Sequence, residues 1–482
     1  MGIYRTNDPT QFDDIDGIII DEQAPPPSIT GVSANTAILV GQFERGPAAL
    51  SLPLGSIGEF REVYGADKSQ GGNQQLANKR YGRLRIIRVV ASDAAKSTLT
   101  IDDGATTDIL KFDAKYEGAY GDSIKVTVEA GSEAVGKKYT IQDTSANAVL
   151  PIEVYDQVEV ASIVDSTFAS SKLVDVTVLA TSAEPADVAA TALASGSDGT
   201  IADTDYESSI ALAEEEKAGN VIFLDSYNAT RNGYLKTHVS GTQDKMCIVC
   251  GDAGDDRAAA VTDAANYRDS DGRIIYAWPY VKTVINGAEV LTPPAAWVAS
   301  IFTQVSPHVA LSYTGNTGFL AGITDLEYKE GRNGYIALNE AGVCALERDL
   351  DVGFLVKNAV TTNIINSEKR EILRRRMADF LTDSIALYLK NYQNDVNSQD
   401  KRDEVKGQIL EFDARLVRDG IVPSDSEVKG GGALLVDTES LNTDDVIALG
   451  QFRILYKRRI YSSMRFIVLQ AEIGTGVVVT EV

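Results

Sequence analysis

The residue types that do chemistry are scarce or badly spaced in this 482-residue chain. The run "GSEAVGKK" from Gly131 comes near the phosphate-cradling loop GxxxxGK[ST]. That loop needs a hydroxyl residue after its lysine for magnesium, and a following helix whose free N–H groups meet the phosphates. Here Lys138 stands in the hydroxyl position, and "KYTIQD" alternates as a strand does, so the stretch reads as a hairpin turn. His238 and His308 are the two histidines, and neither sits in a metal-binding HExxH spacing. Asp225, His238 and a serine could supply a triad by count, but no GxSxG elbow positions a nucleophile, and His238 in "KTHVSG" reads as a surface or capped histidine. Cys247 and Cys250 in "MCIVC" lie three apart in an apolar strand, so they face opposite sides and read as buried structural thiols. No cofactor or metal is expected, and the chain is not expected to be an enzyme.

Composition excludes further classes. The formal net charge is −24, which argues against direct nucleic-acid binding, because phosphate contact needs clustered Lys and Arg. No stretch approaches the roughly 20 apolar residues that span a bilayer. The N-terminus lacks a basic-then-apolar signal pattern, so folding in a cytoplasm without membrane insertion is expected. The charge is uneven: residues 93–200 hold 18 acidic residues against 7 basic ones, whereas Arg453, Lys457, Arg458, Arg459 and Arg465 face only Glu472 within 451–472. That asymmetry suits an oriented subunit with one face in solvent and another against a partner.

The elements that must position any site come next. Residues 1–27 read as an extended arm with a short "GIII" run and a stiff "APPP" end. From Ser28 the texture is strand, helix, strand: "TAILVGQ", "SIGEFREVYG" stopped by Gly65, then "LRIIRVV". Residues 93–198 alternate as antiparallel β and read as an insertion. Strands "NVIFLD", "KMCIVCG" and "RIIYAWPY" then resume the first texture, separated by helices. The fold class expected is a multidomain α/β chain: a discontinuous α/β main domain over 28–92 and 199–345, the inserted β-rich outer domain, an α+β C-terminal inner domain over 346–473, and exchanged terminal strands.

Within the last domain, Leu373, Met377, Leu381, Ile385, Tyr388 and Tyr392 recur at helical spacing over 367–392, with Ser367 as the N-cap. Val405, Ile409, Phe412 and Leu416 do the same over 400–419, and Asp419-Gly420 supplies the stop. Strands "GQFRILYKRRI" and "SMRFIVLQAEI" follow. The "RRR" run, Arg374 to Arg376, is either a salt-bridged solvated face or a partner-binding face; with 11 basic and 11 acidic residues over 367–419, the surface suits protein more than phosphate.

The chain closes on "EIGTGVVVTEV". A bare apolar strand at a terminus offers unpaired backbone groups to another chain. Ile18, Ile19 and Ile20 of the arm, and Val477, Val478, Val479 and Thr480 of the terminal run, are therefore candidates for strand pairing between subunits, a mode in which main-chain hydrogen bonds supply affinity.

Several stretches together carry a family resemblance. "AILVGQFERGPAALSLPLGSIGEFREVYG" resembles the opening of contractile phage tail sheath proteins at Val40, Gly41, Gly46, Pro47, Ser56, Glu59, Phe60, Tyr64 and Gly65. "FDAKYEGAYGDSIKVTV", "GSDGTIADTDYESSIALAEE" and "LNTDDVIALGQFRILYKRRIYSSMRFIVLQAE" are similar to three later segments of that family, in the same order. The resemblance implies a structural subunit that stacks as hexameric rings around a tail tube protein, meets baseplate and tail terminator proteins, and contracts to drive the tube through a host envelope for genome ejection. It implies assembly in a bacterial host's cytoplasm and a final place in the virion tail. It also implies terminal arms that add strands to neighbouring subunits, and a tube-facing helix pair for which Arg374, Arg375, Arg376, Lys401 and Arg402 are candidates. Two rivals stand beside this reading: the sheath of a tail-like bacteriocin or secretion device, and, from another class, an α/β hydrolase or NTPase with adhesive termini.

Overall fold

A computed structural model of the chain describes residues 2–6, 17–21, 28–65, 83–133, 136–146, 148–163, 166–216, 220–285, 287–312, 320–365, 367–428 and 432–464. The chain divides into two units, residues 1–32 with 381–460 and residues 33–380 with 461–482.

In the arm, β1 (Gly2–Thr6) and β2 (Gly17–Asp21) pair in parallel, placing Ile18, Ile19 and Ile20 opposite Ile3, Tyr4 and Arg5. The apolar run thus finds its first partner strand within the arm itself.

The larger unit begins with β3 (Thr36–Gly41), buried at every position, as a continuous run of apolar residues in a two-face-covered strand should be. Helix α1 (Ile57–Tyr64) starts where the Ser56 hydroxyl accepts from the Glu59 N–H at 3.1 Å. It ends at Gly65, whose φ of +67° favours glycine. Strand β4 (Arg83–Arg88) pairs in parallel with β3.

The insertion follows. Strands β5 (Thr98–Asp102), β6 (Asp108–Ala114), β7 (Ile124–Ala130), β8 (Lys137–Asp143), β9 (Glu153–Val158), β10 (Val174–Val178) and β11 (Val188–Ala192) form two antiparallel sheets, ordered β10-β6-β5 and β11-β7-β8-β9. In β7 the inward residues Ile124, Val126 and Val128 are buried while Lys125 and Thr127 are half-buried, the period of two that marked this region in the sequence. They share a core with Phe112, Tyr139, Ile141 and Phe168, separate from that of the main sheet. The insertion opens and closes at one place, where Ala95 and Ser197 exchange backbone hydrogen bonds of 2.9 and 3.0 Å.

The chain then returns through α2 (Asp203–Ala211), β12 (Val221–Leu224), α3 (Ala229–Thr242), β13 (Met246–Cys250), α4 (Arg257–Asn266) and β14 (Ile274–Trp278). A small sheet of β15 (Val281–Ile285), β16 (Ala288–Thr292) and β17 (Asp325–Leu326) accompanies the buried helix α5 (Ala295–Gln304). Helix α6 (Arg332–Glu340), β18 (Val343–Asp349) and β19 (Gly353–Val356) complete a seven-stranded sheet ordered β19-β18-β14-β13-β12-β3-β4, with β19 antiparallel to the rest. The boundary expected at 346 falls inside β18, a strand of this sheet. Because β12 joins β3 on the edge away from β4, the strand order reverses between β3 and β12.

The helix expected over 367–392 is divided. Helix α7 (Ser367–Arg370) stops at Glu371, whose backbone bridges to Val360, and α8 (Ile372–Leu389) follows, with a 3-10 turn at Lys390–Tyr392. Ser367 is itself the first helical residue. The spaced residues Leu373, Met377, Leu381, Ile385 and Tyr388 are buried, and the boundary between the units lies within α8.

In the smaller unit, α9 (Gln399–Arg418) is capped by the Ser398 hydroxyl, which accepts from the Lys401 N–H at 3.3 Å, and it buries Val405, Ile409, Phe412 and Leu416. Strands β20 (Leu434–Asp437) and β21 (Leu455–Arg458) pair antiparallel around the short helix α10 (Asp444–Ala448). Arg458 ties β21 to α9 through a buried pair with Asp413, Nε to Oδ1 at 2.7 Å. Most of the strand expected in "SMRFIVLQAEI", and the terminal run Val477 to Thr480, lie outside the described residues.

Candidate assembly surface

In an open α/β sheet, ligands enter a crevice beyond the carboxyl ends of the strands where the order reverses. Here that place lies between β3 and β12, and side chains fill it. Asp225 follows β12; its Oδ2 accepts from the Gln42 N–H at 2.8 Å and its Oδ1 from the Tyr206 hydroxyl at 2.7 Å. Tyr206 also accepts from Gln42 Nε2 at 3.1 Å, and the Arg231 guanidinium lies 3.9 Å over its ring. Arg231 Nε in turn donates to Asp203 at 2.7 Å. A Cβ on Gly41 would lie 2.9 Å from that of Asp225, so backbone and carboxylate are already in contact. Burial raises the Asp225 carboxyl above the ordinary carboxylate range, and burial raises the Tyr206 phenol also.

Both Asp225 oxygens are engaged within this crevice, and the charges that His238 feels are those of Lys245, Glu214 and Asp244 rather than Asp225. His238 lies on α3, and burial lowers its pKa. The "GSEAVGKK" stretch joins β7 to β8 and is followed by a strand, so it has no helix N-terminus to offer a phosphate. Cys247, Cys250 and Cys344 are buried free thiols, each pushed up by burial away from the reactive thiolate form. Among the described residues no group of three or more His, Cys, Asp or Glu is placed to hold a metal ion, and no helix is long and apolar enough to cross a membrane.

The basic candidates separate sharply. Arg376 is 1% exposed. Its Nη2 donates to the carbonyls of Phe302 and Val305 at 2.7 and 2.9 Å, and its guanidinium lies 4.0 Å from the Phe302 ring. The cation therefore closes the C-terminal end of α5, where free carbonyls and the helix dipole favour positive charge. Burial lowers its pKa to about 9. Arg402 is also buried, donating to Asn397 Oδ1 at 2.9 Å and Gln399 Oε1 at 2.6 Å around the start of α9. Arg374 reaches Glu368 at 3.0 Å, and Arg375 pairs with Asp379. In this conformation Arg376 and Arg402 are thus interior residues, with Arg376 Nη2 and both Arg402 Nη atoms given to acceptors of their own chain. Lys401 retains an accessible ammonium, 3.3 Å from Glu404 and 3.7 Å from Asp395.

One structural clamp was not singled out in the sequence. Arg45, 1% exposed, sends Nη2 to the Arg61 carbonyl at 2.9 Å, faces Asp143 of β8 at 3.5 Å, and lies 4.8 Å over the Tyr120 ring. Tyr120 donates to the same Asp143 at 2.8 Å. The insertion is thereby fastened to the main domain through a buried charge pair. Its signal was the position immediately before Gly46. That glycine has φ +105°, and a Cβ there would lie 2.6 Å from Tyr64 Cδ1, so only glycine fits.

No family model matches the chain, and no curated protein matches it by sequence. Solved structures match it over nearly its whole length. The sheath tail protein from Desulfitobacterium hafniense is 16% identical with a TM-score of 0.60, covering 92% of this chain and 100% of that one. The sheath tail protein from Listeria innocua is 15% identical with a TM-score of 0.64, covering 86% and 90%. The helical sheath of the anti-feeding prophage, in its contracted state, is 13% identical with a TM-score of 0.59, covering 95% and 99%. At these identities the likeness is one of fold, and the fold of this chain is that of the contractile tail sheath proteins.

Proposed function

We propose that the chain is a structural, non-enzymatic subunit of a contractile sheath. It polymerises helically as stacked hexameric rings around a tail tube, joins baseplate and terminator proteins, and shortens to drive the tube through a host envelope for genome ejection. The observation that supports this reading most is the whole-length likeness to sheath folds on a sheet whose ligand crevice is occupied by Asp225, Tyr206 and Arg231. A heterologous contact that does not close generates a helix of subunits. Strand addition by the arm and by residues 477–480 supplies links that persist while compact domains repack. In this proposal the inserted domain 93–198, carrying a net charge of −11, faces outward, and the helix pair of the C-terminal region faces the tube.

Electron microscopy of the purified protein tests the proposal. Hollow tubes of repeating subunits are expected; discrete monomers at high concentration, in near-physiological salt, overturn it. The likeness to the anti-feeding prophage sheath favours a second reading, the sheath of a tail-like bacteriocin or secretion device. Particles bearing a DNA-filled capsid would reject that reading in favour of a virion.

A further inference from the structure

Away from the filled crevice, a groove of about 770 Å³ lies within the larger unit, walled by α6, β19 and the start of α8. Its size falls in the range of about 300–1,000 Å³ over which cavities bury a ligand. Tyr335 and Ile336 of α6, Leu355 and Val356 of β19 and Leu373 of α8 give it apolar surface, and Met464 lines it as well. Ile336 is 46% exposed and Met464 81%, so large apolar side chains stand uncovered along the groove.

The chain itself arrives there. Residues 381–460 belong to the smaller unit, yet 461–464 rejoin the larger one. Two side chains of the larger unit hold this stretch: Arg374 Nη2 donates to the Ser462 hydroxyl at 2.5 Å, and Glu371 Oε2 accepts from the Ser463 hydroxyl at 3.3 Å. Ser463 and Met464 then line the groove, and Met464 is the last described residue. The sequence continues with "RFIVL", Arg465 to Leu469. Four consecutive apolar residues present apolar side chains on more than one side in any regular conformation, so leaving them in water is unfavourable. The rim suits the cation that leads them. Five carboxylates line the groove against Arg332 and Lys357; Glu330 is paired with Arg257 and Glu347 with Lys357, and the others leave the rim negative.

We infer that this groove is the docking site of residues 465–469 of the same chain, with Phe466 to Leu469 against the apolar walls and Arg465 at the acidic rim. The occupant is the chain's own segment because it is tethered next to a residue of the wall. Such a tether gives an effective concentration on the order of millimolar, which a second copy does not match in dilute solution. The terminal run 477–480 then extends from the larger unit rather than from the smaller one. The inference concerns the single subunit and holds whether or not subunits polymerise.

The test is photo-crosslinking of the dilute, unassembled full chain carrying Phe466→benzoylphenylalanine, with mass spectrometry of the digested product. Crosslinks to Arg332–Glu340 or to residues 355–359 are expected, at monomer mass and with a yield independent of protein concentration. Ile336→Asp should lower that yield about fivefold or more, because a carboxylate opposes burial among apolar side chains. Leu52→Asp, at an exposed residue outside the groove, should leave it unchanged. Circular dichroism establishes that each variant is folded. Crosslinks confined to residues outside the groove, crosslinks at dimer mass, or no crosslink in the folded chain would each overturn the inference. An undiminished yield in Ile336→Asp, or an equal loss in Leu52→Asp, would do the same.

Discussion

Arg273 and Asp379 form a buried two-pronged ion pair, Nη1 to Oδ2 and Nη2 to Oδ1 each at 3.0 Å, that fastens α8 to the residue preceding β14. Arg375 reaches the same carboxylate from one helical turn earlier. Removing one partner of such a pair strands a charge in the interior, at about 3–5 kcal/mol. Asp379→Ala should lower stability by that amount in a urea titration. Arg273→Met/Arg375→Met/Asp379→Leu, which removes all three linked charges, should recover most of it. A single variant that costs under about 1 kcal/mol would show the pair to be hydrated.

Arg376 and Lys401 should behave oppositely. Arg376→Met leaves the Phe302 and Val305 carbonyls without their donor, and unsatisfied buried groups cost about 1–3 kcal/mol. Its thermal midpoint should fall well below that of the parent chain. Lys401→Glu changes an accessible charge, so stability should stay within about 0.5 kcal/mol while assembly on a tube weakens. Unchanged tube-dependent assembly in Lys401→Glu would remove Lys401 from the contact.

Acid should loosen the turn after β20 in a defined window. The Asp437 carboxylate is held down at about 2 by the Ser440 hydroxyl first, then by the Glu439 and Ser440 N–H groups. A carboxylate whose folded pKa is depressed contributes stability above its unfolded value, near 3.8, and loses it as pH falls towards 2. Amide exchange at Glu439 and Ser440, corrected for intrinsic rates, should be protected at pH 5 and accelerate below about pH 3.5. Equal protection at both values would mean the carboxylate does not hold this turn.

Excision of the insertion should be tolerated. Its two ends already meet through the Ala95–Ser197 backbone pair, so a short glycine link spans the gap. Arg45 then loses Asp143 but gains solvent, which avoids a stranded buried charge. The shortened chain should fold, with a cooperative melt, and still assemble. A folded product that forms no polymers would make the insertion an assembly element.

Truncation after Ile473 should yield folded, soluble subunits that fail to form ordered tubes. Each lost strand-pairing hydrogen bond is worth about 0.5–1.5 kcal/mol net, and the loss recurs at every link of a polymer. Electron microscopy and circular dichroism of one preparation check both halves of the expectation. Normal tubes, or an unfolded chain, would each contradict it.

Local pattern alone identified much of this molecule. Six consecutive buried positions in Thr36–Gly41, the helical spacing of Val405, Ile409, Phe412 and Leu416, and the alternation in Ile124–Ala130 are short-range periodicities, and each became the expected element. The alternation over 93–198 likewise comes from a period-two texture set within a run of α/β units, and strands β5 to β11 lie there. What required the tertiary structure was every property set by distant residues. The expected boundary at 346 cut β18 because membership of a sheet is decided by neighbours such as β14, not by the strand's own composition. The break at Glu371 depends on a backbone bridge to Val360. Arg374, Arg375 and Arg376 are three adjacent identical residues, yet the packing of α8 gives Arg376 to carbonyls 74 and 71 positions earlier in sequence and leaves Arg374 against Glu368. Side-chain type is local information, whereas burial and partnership are long-range, and for a charged residue those two decide whether it is a contact surface or part of the interior.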